Sequence, residues 1–520
     1  MKNMVVNLAH GFSNKKSNNL IKTFFKFVIL VFLIIYIKLS SANEVIIVGS
    51  KRFSESYIIS EIISQVIKKN SKIKVFEKKG LGNTGILFAA LKQGDIDIYP
   101  EYTGTIIREI LKEDTHMSIA QINKKLKKFD LTVGIPLGFN NSYTLALKKS
   151  TAEKLNIKSI SDIARNPEIK IGLSHEFLSR SDGWQKLREK YNLNKILAIG
   201  IDHSFAYKAI EKNQVDIIDA YSTDANLLNS EIITLDDDKK FFPSYKSILI
   251  YRSSLNESHP EFIKTIKTLK NKISNAQMQK MNYDLEINKL SLDVIAKTFL
   301  SGSSNMEVKN ESFMEILFHK NFLILTFQHI FLVFFSIFLA MTIGIPIGIL
   351  SFCFPKIGKY ILNLTGLLQT IPSLALLAFL IFIFNRIGII PAIIAIFLYS
   401  LLPIVENTNL GLKRVNKQLK EAAIALGASF WICLFKIEIK ESIPAIFSGI
   451  KIAAITSTGT ATIAAFIGAG GYGERINQGL AVNNNEIMLS GAIPAAVFAI
   501  LLQYLLDFTQ KKLLVCDTNF

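Results

Sequence analysis

Two patterns of apolar and polar positions divide this chain, and the change between them falls near Ser301. Before it, short apolar runs alternate with stretches whose apolar residues recur three and four apart. After about Asn321, long apolar stretches with few charges succeed one another. A strand takes a short run and an amphipathic helix takes the wider spacing, whereas a bilayer crossing needs roughly 20 consecutive apolar residues. The first half therefore predicts strands at Val45–Val48, Ile73–Phe76, Ile96–Tyr99, Leu131–Ile135, Lys170–Leu173 and Ile217–Ala220, with helices through Ile58–Ile67 and Ile86–Leu91. This βαβ rhythm is that of a doubly wound sheet, which places ligands at the carboxyl ends of its strands. The Ser-, Asn- and charge-rich stretch Ser301–Glu311 reads as a linker.

The second half predicts spans at Ile330–Leu350, Leu362–Phe384, Ile389–Leu410, Ala445–Ile467 and Ile487–Phe508, with Pro346, Pro372, Pro391 and Pro403 in or beside them. Lys356 and Lys359 come after the first span. Lys413, Arg414, Lys417, Lys420, Lys436 and Lys440 lie between the third and fourth, and Lys511 and Lys512 come after the last. The opposite loops hold only Arg386 and Arg475. Cytoplasmic loops carry the excess of Lys and Arg, so the basic loops belong in the cytoplasm and the first span enters from outside. The N-terminus gives the same orientation. A lysine-bearing start, an apolar run at Phe27–Ile37 and the small residues Ser40-Ser41-Ala42 read as a signal peptide or a membrane anchor, and either one exports the adjoining domain. The expected parts are an export segment over 1–42, an extracytoplasmic domain over 44–300, a linker over 301–320 and a membrane domain over 321–512.

The formal net charge of +18 has no nucleic-acid-binding motif beside it, and the lysines are scattered among isoleucines and asparagines. A lysine-rich background is the reading, with no nucleic acid as partner. Cys353, Cys433 and Cys516 all lie in the second half, so the exported domain holds no disulfide. No nucleophile–base pairing or metal-spaced His/Cys cluster is present, and His116, His175, His203 and His259 read as surface residues. The chain is thus expected to be no enzyme and to carry no cofactor or metal.

The basic loop contains EAAIALGASF from Glu421 to Phe430, with Ser442-Ile443-Pro444 as a turn beyond it. This resembles the EAA loop of ABC importer permeases, with Glu421, Ala422, Ala423 and Gly427 at the motif positions. Small residues give such a helix a face that another protein approaches closely, and a glycine lets the chain turn away. The resemblance implies an all-α transmembrane permease domain whose loop docks on an ATPase. No G-x-x-x-x-G-K-[ST] phosphate loop occurs in the sequence, so ATP and Mg are expected on a separate ATPase subunit.

In the first half VGSKRF (Val48–Phe53), GLGNTGILFAALKQGDIDIYPEYTGT (Gly80–Thr105), FLSRSDGW (Phe177–Trp184), DAYSTDANL (Asp219–Leu227) and LDDDKKFFPSY (Leu235–Tyr245) occur in order. They resemble the binding proteins for glycine betaine, choline, carnitine and ergothioneine. The resemblance implies an α/β periplasmic-binding-protein fold of type II, two lobes closing on a ligand, here with crossings near Gly138 and Ser222 and the segment after Thr223 back in lobe one. A quaternary ammonium has no hydrogen to donate and is recognised by the negative faces of aromatic rings. By resemblance the cage positions hold Tyr102, Tyr143, Tyr221 and Tyr245. Lys51, Thr105 and Arg180 match the positions that receive a carboxylate. Asn83 stands where the family has Gly in GLGGT, and Asn140, Asn141 and Glu176 are further pocket candidates.

The implied whole is the binding and permease part of an ATP-driven importer in the bacterial inner membrane. Its expected partners are an ATPase, a second copy of the chain, a small cationic or zwitterionic ligand, and lipid. Two rival classes use the same binding fold. A ligand-gated channel would insert its pore within the lobes and show a TVGYG-like filter, and a membrane sensor would need a cytoplasmic output domain.

Overall fold

The computed structural model describes residues 45–517, other than 114, 116, 181, 229, 230, 303–311 and 320. The expected export segment and most of Ser301–Glu311 lie outside these residues. The described part begins with two five-stranded sheets. Their strands are β1 (Val45–Gly49), β2 (Lys74–Lys78), β3 (Ile98–Tyr102), β4 (Leu131–Asn140), β5 (Tyr143–Lys148), β6 (Ile171–Ser174), β7 (Ala198–Ile201), β8 (Ile217–Tyr221), β9 (Ile232–Thr234) and β10 (Lys246–Arg252). The first sheet runs β2-β1-β3-β10-β4 and the second β7-β6-β8-β5-β9. In each sheet parallel pairs are flanked by antiparallel ones: β1 pairs parallel with β3, and β10 antiparallel with both β3 and β4. In the second sheet β6 is parallel to β7 and β8, while β5 is antiparallel to β8 and β9.

The chain leaves the first sheet at Asn140 and enters the second at Tyr143, close to the expected first crossing. The second crossing is not at Ser222. After β8 the chain adds β9 to the second sheet, with Ala146 opposite Thr234 and Lys148 opposite Ile232, and returns to the first sheet only at β10. The segment after Thr223 therefore stays in lobe two as far as β9. Backbone pairing along the free edge of β5 holds it there, and that pairing is invisible in its composition. The two crossings run side by side: the Tyr245 amide donates to Asn140 Oδ1 at 2.7 Å, and the Asn141 amide to the Tyr245 carbonyl at 3.1 Å.

Helix α1 (Ser54–Asn70) is buried from Ser54 through Ser64, polar residues included. Helix α2 (Thr84–Gln93) comes after β2, and α3 (Asn275–Glu286) packs on α1 and β4.

The second half is helical. Helices α4 (Phe322–Cys353), α5 (Pro355–Thr370), α6 (Ser373–Phe384), α7 (Ile389–Lys413), α8 (Lys417–Ala425), α9 (Ile439–Ala464), α10 (Gly473–Ala481) and α11 (Asn485–Asp517) occur in that order. Four helical stretches are long and apolar enough to cross a membrane: Phe322–Cys353, Ile389–Lys413, Phe430–Ile467 and Asn485–Lys511. The expected span Leu362–Phe384 falls on a bent pair, α5 and α6 meeting at 101°, which counts as a fifth crossing if the two together form one broken span. The break falls at Ile371-Pro372, where proline supplies no N–H and pushes the residue before it out of the helical region. Between spans, Asn409 donates to Ser351 Oγ at 2.6 Å and the hydroxyls of Ser400 and Ser457 meet at 2.8 Å, the polar contacts that fasten helices in lipid.

Ser442-Ile443-Pro444 forms no turn. It lies inside α9, with Pro444 in the helix interior. The turn after the EAA stretch is at Gly427, whose φ of 85° is the left-handed region that suits glycine.

Lobe one rests on the helical half through the loop between β2 and α2. Leu81 is fully buried in a cluster that also holds Ile387. A side chain added at Gly468, where φ is 76°, would meet Leu81 Cδ2 at 2.3 Å, so glycine there permits the close approach. Asn477 Nδ2 donates to the Gly80 carbonyl at 3.2 Å, and the Arg52 guanidinium stands 4.8 Å from the centre of the Phe466 ring. One residue meets both lobes: Asn483 accepts from Lys208 of lobe two at 3.0 Å through its side chain and from Lys289 at 2.8 Å through its carbonyl.

Candidate ligand-binding site

The sheet register assembles the aromatic cluster. Antiparallel pairing of β5 with β8 places Tyr143 directly opposite Tyr221, so both rings leave the same face. Their centroids are 4.8 Å apart and their hydroxyls 3.3 Å. Tyr245, just before β10, sets its ring edge-on to Tyr143 at 5.8 Å. Tyr102 ends β3 in lobe one, and Phe53 lies 6.4 Å from both Tyr102 and Tyr221, joining the rings of the two lobes. Phe177 at 4.9 Å and Phe242 at 6.2 Å complete the surround of Tyr143.

Two buried cations adjoin these rings. The Arg180 guanidinium lies 5.4 Å from the Tyr143 centroid and 5.9 Å from that of Tyr245. It is held by a two-pronged bond to Asp182, Nε to Oδ1 at 2.7 Å and Nη2 to Oδ2 at 2.8 Å. Among the described residues Nη1 makes a long contact of 3.5 Å, to Glu176, whose side chain is 45% exposed. Burial works against the Asp182 carboxylate, but Arg180 and the Tyr245 hydroxyl, which donates to it, outweigh burial and hold its pKa below the usual range. Lys51 Nζ bonds Glu101 Oε1 at 2.6 Å and stands 5.6 Å from the Tyr102 ring centre. Burial raises the Glu101 pKa, and Lys51 pulls it back in part.

The Glu101 side chain is fully buried, so Lys51→Met would strand an acid in the interior. Losing one member of a buried pair costs about 3–5 kcal/mol. The expected result is a marked fall in the thermal midpoint of the binding domain, largely restored by adding Glu101→Gln. An unchanged midpoint in Lys51→Met would show that the pair does no structural work.

The structure thus places Lys51, Tyr102, Tyr143, Arg180, Tyr221 and Tyr245 close to one another. Thr105 is buried in the helical turn next to Tyr102. Asn83 is exposed, and its side chain caps α2 by accepting from the Ile86 amide at 3.3 Å. Asn140 accepts from the Tyr245 amide, and Asn141 donates to Glu55 at 3.0 Å, so both serve the crossings. Phe53, Phe177, Phe242 and Asp182 were missed although each stands in a string already singled out; a phenylalanine offers the same π face as a tyrosine. His203 is no ordinary surface residue. It sits 3.3 Å from Asp224 with its ring 4.8 Å from Tyr221, and although burial opposes its charge, Asp224 outweighs burial and lifts its pKa to about 9.

In the helical half, Glu421, Ala422 and Ala423 lie on α8, which buries none of its residues. Apolar side chains stand open beside them: Leu426 is 90% exposed and Trp431 63%. Lys420 ties α8 to the span through Glu438 at 2.6 Å.

Residues 44–302 match the substrate-binding domain of ABC-type glycine betaine transport systems, and residues 322–514 the inner-membrane component of binding-protein-dependent transport systems. Over 261 residues the chain is 34% identical to the ergothioneine transport permease/ergothioneine binding protein of Helicobacter pylori, covering 49% of this chain but only 47% of that one. It is 38% identical to a carnitine transport permease protein of Listeria monocytogenes, over 37% of this chain and 88% of the relative. A carnitine transport binding protein of the same species is 31% identical over 52% of this chain and 90% of its own length. The register-built ring cluster precedes a bundle of spans that exposes an EAA helix, and both halves match along nearly their whole length, so this chain belongs to the ABC importers of the glycine betaine type, with substrate-binding domain and permease in one polypeptide.

Proposed function

We propose that the ring cluster binds a quaternary or trimethylammonium compound, of the class of glycine betaine, carnitine, choline or ergothioneine, and that the permease spans carry it inward. The observation that carries this reading is the Tyr143–Tyr221 pair, ringed by Tyr245, Phe53 and Tyr102, with Arg180 at its side. The rings offer negative faces to a cation without hydrogens to donate, and Arg180 Nη1 is placed to receive a carboxylate. That combination favours a zwitterion over choline.

A separate ATPase seated on Glu421, Ala422, Ala423 and Gly427 drives the cycle, with two copies of the chain forming the path. The orientation is binding domain outside. In support, the span Phe430–Ile467 has the lysine-bearing EAA loop at its start and meets lobe one just past its end, at Gly468. The relatives give the channel and sensor readings no support.

The test is calorimetric titration of the full-length chain in detergent with the four compounds. At least one is expected to bind on the order of micromolar or tighter. If all four bound no better than about millimolar, the cage reading would be wrong.

A further inference from the structure

Glu55 is a carboxylate in the first turn of α1, only 2% exposed and, among the described residues, hydrogen-bonded by neutral groups. Four side-chain donors from four parts of the fold converge on it. Oε1 accepts from the Tyr102 hydroxyl and from Asn141 Nδ2 at 3.0 Å, and Oε2 from Thr223 Oγ1 at 2.6 Å and Asn282 Nδ2 at 3.4 Å. Tyr102 is a ring of the cluster, and Asn141 is the first crossing. Thr223, 1% exposed, is the turn of lobe two just beyond β8, and Asn282 is on α3 of lobe one. Asn282 Nδ2 also holds the Thr223 carbonyl at 2.8 Å, so this turn of lobe two is gripped twice from lobe one. Such a collar of donors suits the charged form. Burial raises the pKa to about 6 while each donor works the other way, which leaves the carboxylate ionised at neutral pH.

We propose that Glu55 is a positioning residue: its carboxylate latches lobe two to lobe one through Thr223 and at the same time sets the Tyr102 ring, so that opening the cleft breaks the bonds that orient the cage. The inference rests on the ligand reading above for its functional meaning, though not for its mechanics. A carboxylate that merely favoured the start of α1 would bond that helix's own amides; here all four partners lie off α1. Thr223 and Asn141 flank the ring pair in sequence, each two residues from its ring, Tyr221 and Tyr143, so a shift in either lobe is felt at the rings.

Glu55→Gln keeps the shape but replaces one acceptor by a donor that faces donors. In the full-length chain, glycine betaine, carnitine, choline and ergothioneine are expected to dissociate about tenfold faster from Glu55→Gln, the scale of one charge-assisted bond, with little change in association rate. Thr223→Val is expected to act similarly, and the double variant no worse than the stronger single one, because both break the same contact. Multiplicative effects, or an unchanged dissociation rate, would overturn the latch. Hydrogen–deuterium exchange of the ligand-free chain tests the mechanics independently. Glu55→Gln should speed exchange several-fold in residues 139–145 and 220–226 and leave β6 and β7 unchanged, whereas uniform acceleration or none would refute the proposal. If none of the four compounds bound the natural chain, the ligand reading alone would fail, and exchange would still decide the latch.

Discussion

A chain carrying Tyr221→Leu is expected to bind its ligand up to about 30-fold more weakly than the natural chain, and one carrying Tyr221→Phe nearly as well. The figure comes from a cation–ring contact of about 2 kcal/mol in a desolvated place, where about 1.4 kcal/mol is a factor of ten. Leucine fills similar volume and is as apolar, so the hydrophobic part of the contact is roughly kept and the π face alone is removed. Phenylalanine keeps the face and gives up the hydroxyl, whose neighbour is the Tyr143 hydroxyl at 3.3 Å. The Tyr221 backbone amide is bound separately, by Asp224 Oδ2 at 2.9 Å, so neither substitution removes the turn's anchor. Titration with thermal melting as control decides it. Equal weakening by Leu and Phe would mean that the hydroxyl does the work and that the cage account is wrong; equal affinity of Leu and the natural chain would exclude Tyr221 from the site.

Much of this was legible in the sequence, and the rest was hidden for physical reasons. Strands β1 and β8 were readable because each is largely apolar, β3 was placed two residues early, and the spans were readable because lipid demands long ones. The strands β5, β7, β9 and β10 were missed: β7 is the short, half-exposed Ala198–Ile201, and β9 is three residues long. Missing β9 is what misplaced the second crossing. The bend at Pro372 was not legible, since hydropathy sums straight through a break in the backbone. Tyr143 and Tyr221 are far apart in the chain and meet through register, which one sequence does not show; only resemblance to a family named them together. Glu55 could not be found that way from one sequence. A glutamate in a helix's first turn is ordinary, and only its donors, drawn from Tyr102 to Asn282, make it unusual.

The other large effect is expected at the opposite end of the chain. Ala422→Arg should reduce ligand uptake by about a hundredfold or more while leaving ligand affinity and the melting of the binding domain unchanged. Locally the change is mild, because arginine is nearly as good a helix former as alanine and α8 buries no residue that would have to move. At a closely packed protein surface it is severe, because a long charged side chain replaces a methyl group and an unpaired buried charge costs about 3–5 kcal/mol. Ile424, Leu426 and Trp431 stand exposed beside it, as the proposed ATPase seat on α8 requires. Gly427→Val should act on the same step by another route: at φ 85° a β-branched side chain is strained, and the turn that presents α8 would shift. Vesicles holding the full chain and its ATPase, assayed for uptake and for ligand-stimulated ATP hydrolysis, give the readout. Uptake preserved in Ala422→Arg would remove α8 from the coupling path; uptake lost together with ligand binding would mean that the substitution had damaged the fold rather than the contact.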